Sequence, residues 1–263
     1  MLEKEEGMIR IALGLVGAVA LGASAPAFAH DFFLLPEQFT VERPGETTVR
    51  ASVSTAFPKL ETVVAADRFR RVGASGPGSP QLTLAGLLEN ATALKLSASA
   101  PGLVIAGAST QARDVDYGED RIDLIMGEYR VAPDVAARIK SLPRPRTLKA
   151  ISRRFAKTAI CVVRCGDRSA AVKPLGMDLE FVGATGSEDH YRLLHKGQPM
   201  LNYPIDLVGQ DGARLHLTTD GRGVVHLPAA ARGQVMLFAA VMTAPPGEER
   251  FRMDLTSFTL HRE

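Results

Sequence analysis

At 263 residues with a formal charge of +2, the chain has room for one large or two small domains, and its charge is too mild to mark a nucleic-acid binder. An apolar fraction of 46% allows a core without metal or disulfide staples. With no Trp and only four Tyr, a flat aromatic platform for polysaccharide is disfavoured.

In chain order, residues 9–21 form an apolar run with Lys4 and Arg10 on its N-terminal side, ending in small residues at the Ala27-x-Ala29 spacing. That is the pattern of a secretory signal peptide, with Met1 or Met8 as its start. Cleavage after Ala29 removes residues 1–29 and sends a chain beginning at His30 to the periplasm. An uncut leader would instead tether it to the inner membrane. Downstream, no apolar run approaches the ~20 residues of a membrane helix, so the mature chain is expected not to span a bilayer.

Residues 31–113 read as short strands and turns. Residues 39–42 and 47–53 alternate around the turn Arg43-Pro44-Gly45-Glu46, with Val49, Ala51 and Val53 facing inward. Further strands are expected at 63–64, 82–84, 93–96 and 103–106, with a Gly/Ser/Pro loop at 73–80. Residues 119–158 change character. Helical spacing appears over 120–129 and 133–139, the second opened by Pro133, and a third helical segment is expected from Thr147 to about Ala156. Strands return at 177–182, 204–209, 214–219, 223–227, 234–243 and 251–260, separated by turns such as Asp220-Gly221-Arg222-Gly223. The expected architecture is mainly β: two antiparallel β-sandwich domains of immunoglobulin or transthyretin-like kind. They cover 30–165 and 166–263, and the first carries a partly helical insertion at about 119–158.

Two local features bear on contacts. Between 138 and 157 eight bases occur without an acid, among them Arg144, Arg146, Lys149, Arg153, Arg154 and Lys157. They read either as a patch for an anionic envelope surface or acidic partner, or as a solvated face paired with the acids at 114–123. Cys161 and Cys165 would stand ~13 Å apart in an extended strand, beyond the ~7 Å a disulfide tolerates between Cα atoms. They bridge only if the chain turns or coils between them; otherwise they form a thiol pair open to metal.

The sharpest chemistry is metal binding. A chain starting at His30 offers an α-amine and an imidazole on one residue, with Asp31 as an oxygen donor. Such nitrogen ligands favour Cu(II), then Ni(II) and Co(II). If Asp220-Gly221-Arg222 closes a three-residue hairpin, His216 falls opposite His226, with Cβ atoms ~5 Å apart. A two-residue loop would shift the register and separate them. No nucleophile elbow, phosphate-cradling loop, zinc-protease helix or dinucleotide fingerprint occurs, so no enzyme activity is expected.

Several pieces resemble a family of secreted bacterial proteins of unknown function. They are Ala29-His30-Asp31-Phe32-Phe33-Leu34-Leu35-Pro36, Phe39-Thr40-Val41, Pro44-Gly45, Phe155-Ala156-Lys157, Leu175 to Val182, Thr219-Asp220 with Gly223, and Thr256 to Leu260. The family was once assigned to the periplasmic part of nickel uptake and grouped with cobalt and nickel transporters. A tryptophan is common where Phe33 stands, so this chain resembles a divergent member. The resemblance implies a periplasmic, metal-associated, non-enzymatic accessory beside an inner- or outer-membrane metal transporter. The C-terminal part is also similar to transthyretin-like or carboxypeptidase-regulatory sandwiches. Two other readings are a non-catalytic module for protein or envelope contact, and a copper oxidase with an N-terminal histidine brace.

Overall fold

The computed structural model describes residues 30–185 and 187–263; the expected leader lies outside them. The first half holds β1 (Asp31–Pro36), β2 (Thr40–Val41), β3 (Gly45–Ser54), β4 (Thr62–Val63), β5 (Phe69–Ser75), β6 (Gln81–Leu87), β7 (Thr92–Ala98), β8 (Gly102–Thr110) and β9 (Arg113–Tyr117). Two helices follow, α1 (Glu119–Glu128) and α2 (Pro133–Lys140), and then the 15-residue β10 (Leu148–Val162). The second half holds α3 (Ser169–Val172), β11 (Leu179–Gly183), β12 (His190–His195), β13 (Gln198–Pro199), β14 (Pro204–Gly209), β15 (Arg214–Thr218), β16 (Val224–His226), β17 (Gly233–Thr243) and β18 (Phe251–Arg262). The mainly β class expected from the alternating, turn-punctuated runs is the class the chain adopts.

Two smaller sheets stack against one long central sheet. The first runs β1-β3-β7-β6, with β4 on β3. The central sheet has nine strands in the order β15-β14-β17-β18-β10-β8-β5, with β2 and β9 also on β10. The third runs β11-β12-β13, with β16 on β12. β10 and β18 pair in parallel from Ala150↔Phe251 to Thr158↔Thr259. The expected division at residue 165 therefore falls between strands of one sheet, which draws on both sides of it.

The central strands are apolar along their whole length because both faces are covered. On β17, Val235, Leu237, Ala239 and Val241 pack against the third sheet, while Met236, Phe238, Ala240 and Met242 pack under α1 and α2. β1 is buried throughout for the same reason. Phe32 and Leu34 enter the core between the first and central sheets, and Phe33 and Leu35 enter the core beneath the helices. Ser257 Oγ donates to the Phe32 carbonyl at 2.7 Å and Thr259 Oγ1 to the Leu34 carbonyl at 2.5 Å, so β1 is sewn to β18.

The third helical segment expected from Thr147 to Ala156 is corrected: that stretch belongs to β10, and the helical insertion ends with α2. Its even-numbered residues Leu148 and Ala150 lie under the helices, and Ala156, Ile160 and Val162 face the first sheet. Phe155 enters the core against the third sheet on the odd-numbered face. Long bases at intervening positions hid this period of two, because their charges end in ion pairs rather than in water.

Candidate functional site

His30 and Asp31, adjacent in sequence, open onto different cavities, because successive side chains of an extended chain point to opposite sides. His30 is exposed and lines a cavity of about 380 Å³ with Arg68, Arg113 and Arg154. Asp31 is buried, lines another of about 360 Å³, and bonds its carboxylate to Arg214. Burial pushes the Asp31 carboxyl up to about 6, against the pull of Arg214. The two residues therefore do not converge on one metal position.

The Asp31 cavity contains a charge cluster built on the β14–β15 register. Asp206 faces His216 directly, and its Oδ1 lies 2.7 Å from His216 Nδ1. Arg214, two residues before His216, shares that face and donates to Asp206 Oδ2 at 3.2 Å. Arg130 Nη2, from the end of α1, donates to Asp206 Oδ1 at 2.5 Å. Two buried carboxylates thus meet two guanidiniums and an imidazole whose side chain is 68% exposed. Tyr129 and Phe238 form an apolar wall beside them. Asp206 was legible as an acid inside the apolar run Pro204–Gly209, since a buried carboxylate demands a cation. Arg130 carried no such signal.

The expected His216–His226 pair does not form. β15 pairs with β14 in the central sheet, whereas β16 pairs with β12 in the third. The chain between them changes sheets instead of closing a hairpin. Asp220 Oδ1 accepts the backbone N–H groups of Arg222 and Val224 at 2.8 and 2.9 Å, and Gly223 turns at φ +76° with Pro199 and Met200 packed too close for a side chain. His226 instead faces His190, its direct register partner on β12, with ring centroids 3.9 Å apart. His190 and His195 stand five apart in sequence, and nothing in that spacing singles His190 out. Among the described residues, no group of three or more His, Cys, Asp or Glu side chains is gathered closely enough to hold a metal ion by itself.

Cys161 and Cys165 are joined, with Cα atoms 5.6 Å apart. Val163 between them adopts φ +64°, the turn that the bridge requires. The basic run is largely paired. Arg146 Nε donates to Glu119 at 2.7 Å, and Arg144 reaches the same carboxylate at 3.4 Å. Lys149 meets Glu249 at 2.5 Å, and Arg153 holds Asp254 through two bonds of 2.8 and 2.7 Å while also contacting Asp178. Lys157 is fully buried against Glu180 at 2.9 Å, and burial holds its ammonium below the usual lysine range despite that carboxylate. Arg154 has no carboxylate partner among the described residues.

The fold and these clusters define a mainly β, sandwich-like protein whose ionisable side chains gather where sheets and helices meet. The chain belongs to the family described as Domain of unknown function (DUF4198), whose model matches residues 27–243. No curated protein matches it.

Proposed function

We propose that this protein is a periplasmic, non-enzymatic accessory that binds a transition metal, and that the facing imidazoles of His190 and His226 form the site. The observation that carries the reading is their cross-strand register, with ring centroids 3.9 Å apart. Two imidazoles on neighbouring strands supply the nitrogen donors that copper, nickel and cobalt take up, with water or a partner's side chain completing the shell. An open, incomplete shell suits a protein that hands metal to a membrane transporter rather than storing it.

The test is a Cu(II) and Ni(II) titration of protein whose N-terminus has been sequenced and begins at His30. His226→Ala is expected to lower affinity at least tenfold and His30→Ala to leave it unchanged. Loss only with His30→Ala, or with an N-terminally extended chain, would move the site to the terminal amine and imidazole. No metal binding below roughly millimolar would remove the metal reading.

One observation favours the second reading, a module for protein contact. On and beside the edge strand β6, Leu84, Leu87 and Leu88 are 42%, 64% and 45% exposed. An exposed apolar sheet edge is a surface on which another chain can dock.

A further inference from the structure

The cavity lined by His30 is built like an anion site and independent of the metal reading. Its position follows from β10. On the even-numbered face of that strand, Leu148 and Ala150 are covered by α1 and α2, and Ala156, Ile160 and Val162 by the first sheet. Between these two covers lie Ser152 and Arg154, and there the cavity opens. Arg113 is the register partner of Ser152 on β9, so its side chain leaves the sheet on the same face. Arg68 comes from the turn before β5, and Thr110 ends β8 on the same side.

Three features point to a ligand. Among the described residues the lining contains Arg68, Arg113 and Arg154 and no carboxylate. Of the neighbouring acids, Asp114 and Asp116 bond Arg250, Asp31, whose field Arg154 feels, is bonded to Arg214, and Asp67, next to Arg68, does not line the cavity. The Ser152 hydroxyl is buried without a hydrogen-bond partner among the described residues, although a buried hydroxyl ordinarily finds one. A wall of Val53, Val63, Val64 and Val115 gives the cavity an apolar side, and its volume of about 380 Å³ exceeds what a bare inorganic ion fills. Cleavage after Ala29 would add the His30 α-ammonium to the rim.

We propose that this cavity binds a small organic anion carrying carboxylate or phosphate oxygens on a short carbon frame. Arg113 and Arg154 engage the oxygens with their planar donor forks, Ser152 donates its hydroxyl, and the valines cover the carbon frame.

The experiment is isothermal titration of the chain beginning at His30 with citrate, glycerol 3-phosphate and inorganic phosphate, at ~0.15 M salt so that diffuse attraction is screened. Sedimentation with phosphatidylglycerol vesicles runs in parallel. At least one organic anion is expected to bind with Kd below about 1 mM, and Arg113→Gln and Arg154→Gln each to weaken it at least tenfold. Arg70→Gln, an exposed arginine outside the cavity, is expected to change nothing, and melting curves confirm that each variant folds. Equal loss with Arg70→Gln, or none with Arg113→Gln and Arg154→Gln, overturns the proposal. So does binding of inorganic phosphate alone, or binding to vesicles without either organic anion. The Cu(II) titration of Arg113→Gln should match wild type, which separates failure here from failure of the metal site.

Discussion

The cavities reached by His30 and by Asp31 flank the start of one strand and use the same kinds of side chain in opposite ways. On the Asp31 side, Arg130, Arg214 and His216 meet Asp31 and Asp206 within hydrogen-bond distance. On the His30 side, three arginines line a cavity that has no carboxylate among the described residues. A balanced buried cluster is consumed by the fold, since each charge removed would strand its partner in a poorly solvated site. Arg68 donates to the Gln111 carbonyl at 3.4 Å, but Arg113 and Arg154 make no side-chain hydrogen bond among the described residues, so they cost little in folding and remain available to a ligand.

Stability measurements can break this contrast. The largest effect is expected from Asp206→Ala, which leaves Arg130, Arg214 and His216 facing a buried gap. It should cost about 3 kcal/mol in urea unfolding. A cost under ~1 kcal/mol would show that the cluster does not hold the sheet.

Next comes pH. The Asp31 carboxyl sits at about 6 when folded against 3.8 as its ordinary value, so between these values the folded state holds the extra proton. Its contribution is complete below pH 3.8 and lost as pH rises through about 6, on the order of 3 kcal/mol. Asp31→Asn should flatten that part of the stability-versus-pH curve. Identical curves for variant and wild type would sink the assignment.

His216→Ala is expected to cost less than ~1 kcal/mol, because its exposed ring interacts with Asp206 through solvent screening. Smallest of all, Arg113→Gln and Arg154→Gln should stay within ~0.5 kcal/mol of wild type. A loss of 2 kcal/mol in either would mean that the His30 side is also structural.

Much of the architecture was legible because it rests on local regularities. Alternating runs bounded by Gly, Pro and Asp marked most strands, and Pro133 marked the start of α2. β10 was partly misread, since Arg153, Arg154 and Lys157 interrupt its apolar period. Lys157 shows why: it lies in a fully buried position that its residue type does not announce. The acid in β14 was readable as an anomaly, but its cations come from Arg130, 76 residues away, and from the neighbouring strand.

By itself the sequence determined the mainly β class, the short helical pair, and the turns at Asp220 and Gly223, because propensity, pattern and turn chemistry act over a few neighbours. Only the tertiary structure decided which histidines meet. One turn that changes sheets instead of closing a hairpin separated His216 from His226 and set His226 against His190. It also decided which bases are paired. Register and sheet stacking bring together residues far apart in the chain, so neither spacing nor composition records whether an arginine will find a carboxylate or face an open cavity.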